Sequence, residues 1–320
     1  MSADAAAPIG LIVDIGGTNA RFALLSGDGS INEAQTLACA DFDAPSDAFY
    51  AYAEAQGLEA LPDRIAISVA GPVADGRVDM TNHPWTLDAT ALTETLAVSR
   101  VDLINDFQAI ALGLPDLTAR DTVAVRVGES APGGPATVLG AGTGLGVSLL
   151  VPDGARRITL ATEGGHATVA VRTPAEATVA DALRQRFGHV SWERVLSGPG
   201  LENIYRGLGG EDIDAAEITA RASRGDKNAT AALDMFFAFL GTAASDLALA
   251  HGATGGVYLA GGILPRLSHA LKASVFADRF VDKGRFGDYL ARIPVRLITH
   301  PYPAFVGLSY LIRQQASSCN

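Results

Sequence analysis

The chain is short of cysteine, of positive charge and of unbroken apolar sequence, and each shortage excludes a class of protein. Its 320 residues include two cysteines, Cys39 and Cys319, and no Cys-x-x-Cys pair. Neither a zinc cluster nor a disulfide framework is expected, and two scattered thiols suit a reducing cytoplasm. Lys and Arg number 24 against 35 Asp and Glu, a net charge of -11. A nucleic-acid partner usually requires a basic face, so none is expected. No stretch of about 18 apolar residues is free of charges and glycine breaks. The richest one, residues 235–250, contains Asp246 and reads as a buried helix rather than a membrane span. The first ten residues have no basic n-region and no apolar core, so they do not read as a signal peptide. The Walker pattern Gly-x4-Gly-Lys-Ser/Thr is absent, as is a clean Gly-x-Gly-x-x-Gly after a strand, which argues against a P-loop protein and an ordinary dinucleotide fold.

What the chain does have is apolar residues at 48% and charge at only 18%, enough for a substantial core and, at this length, about two domains. Residues 11–25 read Leu-Ile-Val-Asp-Ile-Gly-Gly-Thr-Asn-Ala-Arg-Phe-Ala-Leu-Leu. This is the pattern of a strand, a tight glycine turn and a second strand. Amides in such a turn form an anion-binding nest, and Asp14 at its lip suits a magnesium ion held through water. An ordinary hairpin is the alternative.

The first third alternates strand patterns (11–15, 21–25, 64–69, 101–104) with helix patterns (45–55, 89–97), the latter helix with Asp88 as its cap. Strands are expected at 122–127 and 136–139, then Gly140-Ala-Gly-Thr-Gly-Leu-Gly146, then a strand at 147–151. This echoes the opening segment about 125 residues later, a spacing that suggests a duplicated core. Thr173-Pro-Ala-Glu176 is a capping box with Pro at the first helical position, so a helix runs to about Phe187. Further helices are expected at 200–206, 215–224, 228–251 and 304–315, with strands at 256–260 and 294–298. Gly261-Gly262 should open another helix with Pro265. No flexible linker stands out.

Three glycine clusters therefore follow three apolar runs: Gly16-Gly17, Gly140 to Gly146, and Gly261-Gly262. Two would grip a triphosphate and the third would meet the adenosine end; the alternative is three turns needing positive φ. Residues 103–107, Leu-Ile-Asn-Asp-Phe, end a buried strand in two polar residues, where α/β proteins place ligands. Asp106 there would accept a proton from a hydroxyl that Asn105 orients, unless the pair only caps a helix. Glu163, His166 and Glu193 add acceptors and a donor suited to a polyhydroxylated ligand, whose buried hydroxyls must all be paired. A metal is the competing use of Glu163 and His166, and Glu193 would equally suit a surface position. In Thr81-Asn82-His83-Pro84-Trp85, a turn over a buried Trp85 competes with a sugar-side loop.

Together, Asp14-Ile-Gly-Gly-Thr-Asn-Ala-Arg, Thr81-Asn-His-Pro-Trp, Ile104-Asn-Asp-Phe, Gly140-Ala-Gly-Thr-Gly-Leu-Gly, Glu163-Gly-Gly-His, Val195-Leu-Ser-Gly-Pro-Gly-Leu and Leu259-Ala-Gly-Gly-Ile resemble the ordered motifs of bacterial glucokinases over nearly the whole chain. Pro84 is a small departure from that pattern. The resemblance implies an α/β fold of the two-lobed actin-like ATPase (ribonuclease H-like) type, with a duplicated βββαβα core and an interlobe cleft. It implies a small domain of residues 1–114 plus 302–320 and a large one of 115–301. It implies phosphorylation of D-glucose by ATP with Mg2+, feeding glycolysis, in a cytoplasmic homodimer. Asp106 matches the catalytic base, and Asn105, Asp106, Glu163, His166 and Glu193 match sugar contacts. Val13, Asp14, Ile15, Gly16, Gly17 and Thr18 match the first phosphate loop. Gly142, Thr143 and Gly144 match the second, and Gly261 and Gly262 the adenosine motif. The related ROK kinases and repressors usually carry a cysteine-rich zinc motif that this chain lacks. A kinase for another hexose and a non-catalytic sugar sensor are the competing functions.

Overall fold

The computed structural model describes residues 8–80 and 83–317. The chain divides into two compact units, one of Met1–Leu117 with Pro301–Asn320 and one of Thr118–His300.

Unit one starts with an antiparallel meander of β1 (Gly10–Ile15), β2 (Asn19–Leu25) and β3 (Ile31–Ala38). α1 (Pro45–Ala55) follows, begun by Pro at its first position and by Asp47 accepting from the Ala44 amide at 3.1 Å. β4 (Arg64–Val69) then pairs parallel to β1. A small hairpin of β5 (Arg77–Asp79) and β6 (Thr86–Asp88) leads to α2 (Ala89–Thr95), capped by Asp88. β7 (Arg100–Asn105) pairs parallel to β4 and runs directly into α3 (Asp106–Gly113). The strand order is β3-β2-β1-β4-β7. β1 lies between two partners, which is why Leu11, Ile12, Val13 and Ile15 form a nearly continuous apolar run: they are at most 1% exposed. Phe22 stacks on Tyr52 at 5.1 Å and meets Phe49 edge-on at 5.2 Å, filling the core beneath the meander. Trp85 is buried, donating from Nε1 to the Phe42 carbonyl at 3.3 Å, and His83 sits edge-on to it. Thr81 and Asn82, the start of that motif, lie outside the described residues, as does Cys319.

Unit two repeats the plan. After β8 (Thr122–Arg126) comes a meander of β9 (Ala136–Ala141), β10 (Leu145–Asp153) and β11 (Arg156–Thr162). Helices α4 (Pro174–Phe187), α5 (Gly198–Gly207), α6 (Ala215–Ser223) and α7 (Lys227–His251) follow, the first with its Thr173/Glu176 capping box closed in both directions. β12 (Gly256–Ala260) pairs parallel to β9. Past Gly261-Gly262 the chain makes a 3-10 turn, Leu264–Leu267, before three short helices: α8 (Ser268–Ala273), α9 (Phe276–Val281) and α10 (Gly287–Ala291). β13 (Val295–Ile298) pairs parallel to β12, and β8 closes the edge. The order β11-β10-β9-β12-β13-β8 matches unit one strand for strand once the added edge strand is set aside. The glycine echo is thus the trace of a duplicated sheet. α7 is long and apolar enough to cross a membrane, but 72% of its apolar window is buried inside the protein.

The last helix, α11 (Pro303–Ser317), belongs to unit one and packs against α3. Gly113 and Gly307 face each other there: a Cβ at 307 would lie 1.8 Å from the Ala109 carbonyl oxygen, and one at 113 would lie 2.8 Å from the Gly307 nitrogen. The two backbones approach closely because neither position carries a side chain.

Candidate active site

In unit one, register places the polar groups. Asp14 of β1 stands opposite Arg21 of β2 and Ser68 of β4, so three side chains form one row across three strands. Arg21 donates to Asp14 Oδ2 at 3.2 Å and Ser68 Oγ donates to Oδ1 at 2.8 Å. Burial pushes the Asp14 carboxyl above its usual range, against the opposing pull of Ser68 and Arg21. Each of its oxygens keeps a lone pair. A hard, oriented oxygen donor of this kind fits magnesium, which commonly takes one or two carboxylates and completes its shell with phosphate and water. Among the described residues no group of three or more His, Cys, Asp and Glu is gathered as a protein-only metal cage.

The turn after β1 is closed by the Gly16 amide donating to the Asn19 carbonyl at 2.9 Å. The Gly17 and Thr18 amides make no hydrogen bond among the described residues, which leaves two donors for an anion. The turn is held from below by Cys39, whose amide donates to the Thr18 carbonyl at 2.9 Å and whose Sγ reaches the Gly16 carbonyl at 3.7 Å. Gly16 has room: a Cβ there would meet only the Asn19 carbonyl, at 3.6 Å. The Val13 and Ile15 side chains are buried in the core.

Asn105 and Asp106 lie at the carboxyl end of β7, one strand beyond β4. The capping reading of Asn105 is seen in the structure. Its Oδ1 caps α3 by accepting from the Phe107 and Gln108 amides at 2.9 and 3.1 Å, and its Nδ2 donates to the Gly71 carbonyl at 3.1 Å. Its amide group also stabilises the neighbouring Asp106 carboxylate. Asp106 is the first residue of α3, with Oδ1 accepting from the Phe107 amide at 2.9 Å. Its carboxyl is pushed up to about 7, first by burial and then by the negative charge of Asp14. A carboxylate poised near neutrality is suited to taking a proton.

In unit two the candidates converge around residues 141–145. The second turn is closed by the Gly142 amide donating to the Gly144 carbonyl at 2.8 Å, and the Thr143 and Gly144 amides make no hydrogen bond among the described residues. Gly261, at φ +91, packs on the end of β9: a Cβ there would lie 2.3 Å from the Ala141 carbonyl oxygen. Gly262 faces open space. Gly198, which opens α5, donates its amide to the Gly142 carbonyl at 2.8 Å. Glu163 and His166 flank the short turn Gly164–His166, with His166 Nε2 3.7 Å from Glu163 Oε2 and both side chains exposed. That turn rests on β10, where a Cβ at Gly165 would lie 2.1 Å from the Leu145 carbonyl oxygen. Glu193 lies in a 3-10 turn, Trp192–Arg194, and reaches back to accept from the Leu145 amide through Oε2 at 3.0 Å. The Trp192 amide donates to the Ala167 carbonyl at 2.9 Å and ties the two turns together.

Three contributors were not singled out from the sequence. Ser68 is a fully buried hydroxyl in an apolar strand, and its isolation in Arg-Ile-Ala-Ile-Ser-Val was a readable signal. Arg21 and Cys39 gave none, because their roles come from strand pairing.

A duplicated sheet, each half carrying a meander whose first strand ends in a free-amide turn, is the plan of the actin-like ATPase fold. A family model described as Glucokinase matches residues 11–315. The chain is 44% identical to a glucokinase from Paramagnetospirillum magneticum over 310 residues, covering 94% of this chain and 97% of that one. It is 45% identical to a glucokinase from Nitrobacter hamburgensis over 308 residues, covering 94% and 96%. Among solved structures, a glucokinase from an Antarctic psychrotroph superposes with a TM-score of 0.87 at 34% identity, covering 95% of this chain and 98% of that one. The chain belongs to the glucokinase family.

Proposed function

We propose that this chain transfers the γ-phosphoryl group of ATP to the 6-hydroxyl of D-glucose, with Asp106 as the base. The observation that carries the reading is the Asp106 carboxyl, set at the head of α3 and held near neutrality by burial and by Asp14. Asn105, Glu163, His166 and Glu193 are the sugar contacts in this reading. As the 6-oxygen attacks the γ-phosphorus and the bond to ADP breaks, the hydroxyl proton passes to Asp106. Such transfers depend mostly on positioning and charge stabilisation. The unpaired amides of Gly17, Thr18, Thr143 and Gly144 supply donors for phosphate oxygens, and Gly262 offers a flat approach to the adenosine end. Magnesium bound at Asp14 would neutralise phosphate charge.

The base must be ionised to work, so kcat/KM for glucose rises with pH through a midpoint of about 7 and levels above it. A pH profile flat from 5 to 8, about two units below and one above that midpoint, removes Asp106 from the role. Gly16→Val tests the phosphate turn. The fold has space for a Cβ at Gly16, so the variant should stay folded while the added side chain crowds the phosphates. Its KM for ATP rises at least about tenfold, a loss of about 1.4 kcal/mol of binding, with glucose affinity little changed. An unchanged ATP affinity in the folded variant contradicts the assignment.

Residence in the cytoplasm and homodimer formation belong to the same reading. The free, buried Cys39 suits a reducing compartment. Sedimentation of the purified chain checks the dimer.

A further inference from the structure

The two phosphate turns are supported in different ways. The first rests on Cys39, a fully buried residue whose amide and thiol face the turn from inside the protein. The second rests on a side chain that also belongs to the sugar-binding set. Glu193 Oε2 accepts from the Leu145 amide at 3.0 Å, immediately after Gly142-Thr143-Gly144, while Oε1 makes no hydrogen bond among the described residues. The segment carrying Glu193 grips the turn a second time: Ser197 Oγ donates to the Glu193 carbonyl at 2.9 Å, and the Gly198 amide donates to the Gly142 carbonyl at 2.8 Å. The contact is close enough that a side chain at position 144 would push the Glu193 carboxylate aside. A Cβ at Gly144 would lie 2.5 Å from Glu193 Oε2.

From this geometry we infer that Glu193 is a positioning residue coupling sugar binding to nucleotide binding, one carboxylate oxygen serving a sugar hydroxyl and the other fixing the second phosphate turn. The inference rests on the proposed function, because it takes Glu193 as a sugar contact. A hydroxyl donating to Oε1 fixes the carboxylate plane, which fixes Oε2 against the Leu145 amide and so orders the Thr143 and Gly144 amides for phosphate. Among the described residues no side chain of the sugar-binding set hydrogen-bonds directly to the unit-one turn, so the direct coupling runs through the second turn. The consequence is selectivity: without sugar the second turn is less well ordered, and ATP meets a weaker phosphate site.

The test measures the dissociation constant of a non-hydrolysable ATP analogue with magnesium, by calorimetry, without and with saturating D-glucose. In the wild type, glucose tightens the analogue about tenfold, within the usual span of coupling between sites, and the analogue tightens glucose by the same factor. Gly144→Ala keeps Glu193 but displaces its carboxylate, and the ratio falls to about one. Any direct loss of phosphate affinity in that variant cancels in the ratio. Glu193→Ala also abolishes the coupling. Glu193→Gln, which keeps an acceptor for the Leu145 amide, retains most of it, a rescue that a purely structural role would not produce. Undiminished coupling in Gly144→Ala and Glu193→Ala, or no coupling in the wild type, overturns the inference. Failure of the wild type to bind glucose at all instead overturns the function on which it rests.

Discussion

Replacing Asp106 by Asn lowers kcat by roughly 10²–10⁴-fold, the usual share of a general base, while glucose binding stays measurable. The same substitution makes the folded protein more stable at alkaline pH. The Asp106 carboxyl has a folded-state value of about 7, raised from 3.8. Between those values the folded protein holds a proton that the unfolded chain has lost, so the group's contribution to stability declines as pH rises through that window. Below it the two states are protonated alike and the contribution vanishes. Asn carries no charge and escapes the loss. At pH 8, Asp106→Asn should therefore gain about 2 kcal/mol, after allowance for partial solvent exposure and a lost helix-dipole contact. At pH 3 and below, the difference should close. Thermal unfolding at the two pH values checks it. A variant that loses both activity and stability at pH 8 would mean that Asp106 supports the fold rather than the chemistry.

Gly307→Ala destabilises unit one strongly. The added Cβ would meet the Ala109 carbonyl oxygen at 1.8 Å, its carbon at 2.8 Å and the Gly113 nitrogen at 3.0 Å. All three are backbone atoms, so no side chain can rotate aside and α11 must move as a body. Overpacking of this kind costs about 3 kcal/mol, or roughly 10 °C of melting temperature. Because α3 begins at Asp106, turnover falls as well. A melting temperature within about 2 °C of wild type would contradict the close packing of α3 on α11.

What was legible in the sequence is what local pattern encodes. The paired turns at Gly16 and Gly142, the capping box at Thr173 and the cap at Asp88 all lie within a few residues of the elements they control. The third strand of each meander, β3 and β11, was not legible from apolar pattern. Both are edge strands, and in Ile-Asn-Glu-Ala-Gln-Thr-Leu-Ala and Arg-Arg-Ile-Thr-Leu-Ala-Thr the alternation is diluted by exposure. Only the family resemblance anticipated them.

The site was legible as residue types but not as connections. Asn105 drew two readings; the structure shows it capping α3 and bonding the Gly71 carbonyl, connections set by the strand-to-helix junction rather than by any local pattern. The Asp14, Arg21 and Ser68 row depends on register across three strands. The link from Glu193 to Leu145 spans 48 positions and leaves no local mark. Gly16 shows the converse. Its glycine suggests a strained turn, yet its backbone needs no positive φ and its surroundings admit a Cβ. Chain geometry therefore does not require glycine there.

The most direct test of the account is release of ADP by the purified chain given ATP and magnesium, measured with and without D-glucose and with the sugar product identified. One ADP is expected per glucose 6-phosphate formed, with little ADP in the absence of sugar. Glucose binding without ADP release would contradict it and leave a sugar sensor on a kinase scaffold.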